Sequence, residues 1–325
     1  PSFKKCSFLR MAITTDLFFH GNTKKAAFFE GWYFKHQIGD EVYAFIPGLS
    51  IESDGRKQPF IQVISHEGSH YFPFSEAEFS AAEDQLLIKI GENYFSEQGI
   101  SLSLESTELS VKGTLTYGAF HPISRSRYAP SIMGPFSYLS FMECYHGILS
   151  MAHSLSGTLL WNEQSLDFSE GIGYLEKDWG TSFPAAYLWV QCNRFEAPDV
   201  RFFFSAADIP FLGTAFLGII SVLQIGDKEY RLATYYGARL DSVTRKQGRL
   251  VIIVRQKVLE LTIEVAEKEG HSLMAPTDGV MNRIIRESAS TEILLTLIEN
   301  GQTIFRQTGF SAGFEESGIV RGYTY

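Results

Sequence analysis

Phe28–His36 reads FFEGWYFKH, and Ala185–Phe195 reads AAYLWVQCNRF. With Trp32 set against Trp189, the two stretches align as copies of one strand-like plan. A second apolar run follows each, Val42–Ile51 in the first half and Val200–Ile209 in the second. Two copies in 325 residues imply two cores, because one core seldom grows beyond about 250–300 residues. The expected division gives residues 1–170 and 171–325, each an antiparallel barrel, with strands Phe29–Gln37 and Tyr187–Phe195 in equivalent places.

Turn chemistry supports an all-β chain with little helix. Asp54-Gly55, Gly226-Asp227 and Asn300-Gly301 each separate two apolar runs. Such pairs mark hairpins, since they tolerate the left-handed backbone of a tight turn. Val251–Val254 and Leu259–Val265 have the length and branching of buried strands. Helix signals are few: Ser75 with Glu78 matches a capping box, although the flanking alternation suits strand equally, and Gly279–Glu287 reads as a short helix. Ile209–Gly226 contains no charge and reaches the lower limit for a membrane-spanning helix. Pro210, Gly213, Gly218 and Gly226 interrupt it, so it is read as a turn and a buried strand.

Composition narrows the function. The net charge of −9 supplies no basic stripe for phosphates, which excludes nucleic acid. Only 20% of residues are charged, whereas 14% are aromatic. Such a surplus packs cores or lines pockets for flat, greasy ligands. Cys6, Cys144 and Cys192 are scattered and odd in number, which fits a reducing compartment. No zinc spacing, phosphate loop or dinucleotide fingerprint is present, so no metal and no cofactor is expected. No leader sequence is visible, and a cytoplasmic location follows, with peripheral membrane contact allowed.

The candidate chemistry lies in the middle of the chain. Phe136–Gly157 holds Glu143, His146 and His153; Gly171–Pro184 holds Tyr174, Glu176, Asp178 and Trp179. In a strand, Tyr174, Glu176 and Asp178 share a face, the carboxylates about 6–7 Å apart. Like charges that close raise one pKa, more so in a dry site beside Trp179, and a carboxyl group held protonated is a general acid. Glu143 and His146 face opposite ways unless Gly147 marks a bulge. Parity also places Glu30, Trp32, Phe34 and His36 on one face, and Tyr187, Trp189, Gln191 and Asn193 on another. Each face is either a pocket wall or a solvated exterior.

These residues resemble the tocopherol cyclase family. The likeness runs through Glu30–Lys35, Gly134–Ser137, Met142–Gly157, Tyr174–Gly180, Phe183-Pro184, Trp189–Asn193 and Ala275-Pro276. It implies a tandem pair of lipocalin-like barrels and the cyclisation of a prenylated benzoquinol to a chromanol. That reaction needs an acid able to protonate an alkene, aromatic faces for the cation, and exclusion of water. The catalytic candidates are Glu176, Asp178, Glu143 and His146. The substrate-binding candidates are Trp189, Gln191, Asn193, Tyr174, Trp179, Trp32, Glu30 and His153. Trp32 has a second reading as the seal of a barrel floor. Plant members carry Asn at the position of Asp178, which favours Glu176 as the acid. Arg194 and Ala152 also depart from the family pattern. A carrier of a hydrophobic ligand and a hydratase of an isoprenoid double bond remain the alternatives.

Overall fold

The computed structural model describes residues 16–321 and Tyr323. Strands and turns make up nearly all of it, with four short 3₁₀ turns. The first sheet holds β1 (Phe28–Ile38), β2 (Glu41–Ile51), β3 (Lys57–Ser65), β4 (Ser69–Pro73), β5 (Phe79–Ala81), β6 (Leu87–Ile90), β7 (Asn93–Ser96), β8 (Gly99–Glu105), β9 (Ser110–Tyr117), β10 (Cys144–Trp161), β11 (Gln164–Asp167) and β12 (Ile172–Gly180). The second holds β13 (Tyr187–Cys192), β14 (Val200–Phe211), β15 (Thr214–Ile225), β16 (Lys228–Ala233), β17 (Arg239–Lys246), β18 (Arg249–Gln256), β19 (Leu259–Ala266), β20 (His271–Thr277), β21 (Val280–Glu299) and β22 (Gln302–Ser317).

Each sheet coils around its own core. In the first, the ladder runs β4-β3-β2-β1-β12-β10-β9-β8-β7-β6-β5 and its ends do not pair among the described residues. One hydrophobic cluster nevertheless joins Phe72 of β4 to Ile88 and Ile90 of β6, with Phe34, Phe45 and Phe95 between. The chain therefore forms two barrel-like antiparallel sheets, coiled without full closure. The second core gathers Leu188, Val190, Phe202, Phe204, Ile252 and Ile263.

The three expected hairpins are present. Asn300 and Gly301 both take the left-handed backbone, φ +52° and +78°, as a two-residue hairpin turn requires. Ile209–Gly226 is a hairpin arm: β14 turns at Leu212-Gly213 into β15. One expectation is corrected. Gly279–Glu287 is not helical; from Val280 it is the start of β21, whose Ile, Leu and Thr residues favour the pleated backbone. Ser75 and Glu78 do form their reciprocal pair, the Ser75 N–H donating to Glu78 Oε2 at 2.9 Å, but it closes a 3₁₀ turn.

The domain reading also shifts. β12 pairs with β1 and β10, and the first compact unit runs to Phe183 instead of residue 170. It also takes Met274–Arg283, where Gln62 Nε2 donates to the Met274 carbonyl at 2.9 Å and Met274 N–H returns a bond to Gln62 Oε1 at 2.7 Å. β1 lies between the next strand in sequence, β2, and the last of its sheet, β12; β13 lies in the same way between β14 and β22. The strands are thus topologically equivalent, but Trp32 and Trp189 are not. Trp32 belongs to the first core, whereas the second core takes Leu188, Val190 and Cys192, so Trp189 points away from it. A one-residue offset reverses the face.

Candidate active site

β12 reads IGYLEKDWG and is the strand on which the site is built. Leu175 and Trp179 enter the first core, and Lys177 shares their parity. Tyr174, Glu176 and Asp178 therefore project from the opposite face. Glu176 lies opposite Tyr33 of β1 on one side and Ile148 of β10 on the other; Asp178 lies opposite His146. Gly180 ends the strand at φ +151°. A Cβ there would stand 2.1 Å from the Glu143 carbonyl oxygen, so only glycine lets β12 close against the start of β10.

On the outward face four polar groups meet. The Tyr174 hydroxyl donates to Glu176 Oε2 at 2.5 Å. His146 turns Nε2 towards the same oxygen at 3.5 Å and Nδ1 towards Asp178 Oδ1 at 2.8 Å. Tyr174 is fully buried, Glu176 is 4% exposed, and Asp178 is the most open of the three. Burial works against a charged His146, but Asp178 and Glu176 outweigh it and raise its pKa to about 9. The ring is an imidazolium at neutral pH. Burial pushes the Tyr174 phenol up, and Glu176 and Asp178 add to the effect, so it stays a donor. One ligand atom from each of His146, Glu176 and Asp178 fits within 4.8 Å, a set that a divalent ion could use. The two ring nitrogens face different carboxylates, however, Nδ1 at hydrogen-bond distance and Nε2 at ion-pair distance, an arrangement that suits a protonated ring. Glu143 lies outside this group. Its carbonyl accepts from Thr181 N–H at 2.8 Å, and burial together with Asp278 raises its carboxyl pKa.

The inward face of the same strands holds a second cluster. Lys177 Nζ lies 2.6 Å from Glu30 Oε1 and 3.2 Å from His20 Nδ1, and it also donates to the Phe18 carbonyl. Both Lys177 and Glu30 are fully buried. The ammonium stands over the rings of Trp32 at 5.3 Å and Trp179 at 4.8 Å. Trp179 is sandwiched between His20 and Tyr145, with ring centroids at 4.6 and 5.4 Å. Trp32 and Glu30 are thus part of the packed floor of the first core.

Further along, His36 and His153 flank Gly173, which pairs with both. A Cβ on Gly173 would fall 2.2 Å from His153 Nε2, so the ring occupies the space that a side chain would need. His36 Nε2 lies 2.5 Å from the Tyr117 hydroxyl, and the His153 ring packs on Tyr117 at 4.5 Å. Burial lowers both histidine pKa values from 6.5 to about 3. The unfolded chain therefore takes up protons first as pH falls below about 6.5, and stability falls with it. At about 1.4 kcal/mol per pH unit, each histidine should remove about 2 kcal/mol by pH 5. Urea unfolding at pH 7 and pH 5 measures this, and His153→Gln should lose about half of that pH response. An unchanged response in the variant would show that His153 is not the group involved.

In the second unit, Trp189, Gln191 and Asn193 are all buried although Trp189 and Gln191 point away from its hydrophobic cluster. Trp189 lies over Gly313, where a Cβ would meet its ring at 2.6 Å. The same face contains two carboxylates that sequence reasoning missed. Glu315, opposite Trp189, accepts from the Tyr187 hydroxyl at 2.8 Å, and fully buried Glu287 pairs with Glu315 across the ladder. Parity along β22 could have aligned Glu315 with Gly313, but only the register of β21 brings in Glu287.

The family model described as tocopherol cyclase-like matches residues 106–318. The chain belongs to the tocopherol cyclase-like family. The match includes Tyr174–Gly180 and Trp189–Asn193, while Glu30–Lys35 lies before it. A probable chloroplastic tocopherol cyclase of Oryza sativa subsp. japonica is 24% identical over 246 residues, 58% of this chain and 51% of its own length. The chloroplastic tocopherol cyclase of Zea mays is 23% identical over 230 residues, 54% of this chain and 48% of its own. The chain thus spans about half the length of the curated relatives it matches. Among solved structures, CghA with Sch210972 aligns over 90% of this chain and 88% of its own, with a TM-score of 0.57 and 9% identity, a likeness of fold. No helix among the described residues is long and apolar enough to cross a membrane.

Within this tocopherol cyclase-like chain, the candidates fall into three groups. Tyr174, Glu176, Asp178 and His146 come together. Glu30, Trp32, Trp179 and His153 lie inside the first core, the first three around Lys177 and His153 beside Gly173. Trp189, Gln191 and Asn193 belong to the second unit. Gly147 does not mark a bulge, so Glu143 and His146 stay on opposite faces; the register shifts fall between Ile148 and Ser150 and between Ser150 and His153. His146 meets the carboxylates without it, through pairing with Asp178.

Proposed function

We propose that this protein cyclises a prenylated benzoquinol to a chromanol by protonating the alkene of the prenyl tail, with Glu176 as the acid. The observation that supports this reading is the buried contact of Glu176 Oε2 with the Tyr174 hydroxyl and the His146 imidazolium. For this step Glu176 takes up a proton on Oε1, leaving Asp178 as the anion beside His146, and delivers that proton to the alkene to leave a tertiary cation. The negative charge that develops on the carboxylate falls where the Tyr174 hydroxyl already donates and beside the positive His146 ring, which strengthens the acid in the transition state. The ring hydroxyl oxygen captures the cation, and its proton is returned to Glu176. The substrate is isomerised with no net change in the enzyme. Asp178 holds the imidazolium in place through Nδ1. In this reading the ligand is a hydrophobic small molecule, and no cofactor takes part.

The test is incubation of the full chain with a prenylated benzoquinol and separation of the products. Chromanol formation supports the reading. A tertiary alcohol would instead indicate a hydratase, and tight binding with recovered quinol would indicate a carrier.

A further inference from the structure

Gly31 lies in the interior of β1, where glycine weakens a strand because it has no side chain to pack. Two local reasons usually explain such a glycine: a left-handed backbone, or a neighbour too close for a Cβ. Gly31 has neither. Its φ is outside the left-handed region, and a Cβ there would meet no atom nearer than the Pro47 carbonyl oxygen at 3.9 Å. Among the described residues, every other glycine outside the left-handed region would set its Cβ at 3.0 Å or less from an atom. Gly31 stands in a row that crosses five strands: His146 of β10, Asp178 of β12, Gly31, Gly48 of β2 and Phe60 of β3. Its neighbour Trp32 enters the first core, so Gly31 takes the outward face with Asp178. The Phe60 ring lies over Gly48, where a Cβ would fall 2.4 Å from Cζ of that ring. The row therefore leaves one gap, over Gly31, between the Phe60 ring and Asp178. Phe29 and Tyr33 stand at its two ends, about 13 Å apart by the strand rise. Both are buried, whereas Gly31 itself is partly exposed.

We propose that the gap over Gly31 seats the aromatic head of the ligand, which makes Gly31 a specificity-determining residue. This seat rests on the reading above of the ligand as a prenylated benzoquinol. A bare backbone floor edged by the rings of Phe60, Phe29 and Tyr33 suits a flat ring, and a glycine inside a strand marks a place where a ligand can approach the backbone closely. Asp178 closes the remaining side. Its Oδ1 holds the His146 ring, and the side chain is 24% exposed, so the carboxylate is open to a hydroxyl donor. A plain hydrocarbon offers nothing to that carboxylate, whereas a benzoquinol carries hydroxyls on a flat ring. Glu176 lies two residues along β12, about 6–7 Å from Asp178. A ring held at Asp178 therefore brings the start of its tail within reach of the acid.

The measurement is calorimetric binding to the full chain of two ligands that share one prenyl tail: a prenylated benzoquinol and the corresponding prenyl alcohol, which has no ring. Gly31→Leu fills the gap and should weaken benzoquinol binding by about tenfold or more, while the prenyl alcohol changes by less than about twofold. Gly31→Ala has room for its Cβ, so its urea midpoint should match or exceed that of wild type, and its benzoquinol affinity should fall by less than in Gly31→Leu. Equal benzoquinol affinity in wild type and Gly31→Leu overturns the proposal. An equal loss for both ligands also overturns it, since the ring would then not be what the gap receives. Chromanol formation at the same rate and KM in wild type and Gly31→Leu keeps the reaction and removes the ring seat. If wild type binds the benzoquinol without converting it, and Gly31→Leu fails to bind it, the reading of the reaction fails and the ring seat stands. A wild type that binds no benzoquinol overturns both. If Gly31→Leu does not fold, Gly31→Ala decides: a loss confined to the benzoquinol supports the seat, and unchanged affinity overturns it.

Discussion

Glu176→Gln is expected to slow chromanol formation by about 10²–10⁴-fold, the usual cost of losing a general acid. Glutamine keeps the shape of the side chain, and its carbonyl can still accept from the Tyr174 hydroxyl, as Oε2 does at 2.5 Å. What it lacks is a transferable proton. Ligand affinity should therefore change little while kcat falls. Tyr174→Phe removes the hydroxyl that donates to Oε2 and should cost less than the loss of the acid. Undiminished turnover in Glu176→Gln would remove Glu176 from the mechanism and turn attention to Asp178. Single-turnover kinetics on both variants would separate the chemical step from product release.

Lys177→Met is expected to destabilise the first unit by about 3–5 kcal/mol, because it strands Glu30 as a buried, uncompensated carboxylate. Burial works against charge on Glu30, yet Lys177 and His20 hold its pKa below the ordinary range. Burial also pushes the Lys177 pKa down, and Glu30 opposes that shift. Removing either partner leaves the other facing an apolar floor of Trp32 and Trp179. The double variant Glu30→Gln, Lys177→Met should cost less than the two single changes added together, since the stranded charge is gone. Urea unfolding followed by tryptophan fluorescence suits the test: Trp32, Trp161 and Trp179 lie in the first unit and only Trp189 in the second. Single variants with midpoints close to that of wild type would show that the pair contributes little.

The fold was legible where the signal is local. Asn300-Gly301 specifies a turn by backbone sterics alone, and alternation along β1 put Glu30, Trp32, Phe34 and His36 on one face, which is the inward one. The shared face of Tyr174, Glu176 and Asp178 follows from a period of two. Register across strands separated by long stretches of chain is set by tertiary packing and is not encoded locally. Parity on β10 alone could not pair His146 with Asp178, 32 residues away, nor Glu287 with Glu315. The match of Trp32 with Trp189 found the right strands but the wrong offset, since only packing shows that Leu188 and Val190 are the residues that enter the second core. His20 escaped notice because it precedes the first strand, where no periodicity draws attention to it.

The alternation of β12 has a consequence for how this sequence can change over generations. Glu176, Lys177 and Asp178 are three consecutive letters with three destinations: the outward face, the floor of the core, and the outward face again. Point substitutions test these destinations one at a time. Loss or gain of a single codon between Tyr174 and Trp179 would reverse all those beyond it, sending a lysine to the acid cluster or a carboxylate into the tryptophan floor. Descendants of this gene should therefore exchange residues within the segment far more readily than they change its length, and length variation should collect in the turns at either end.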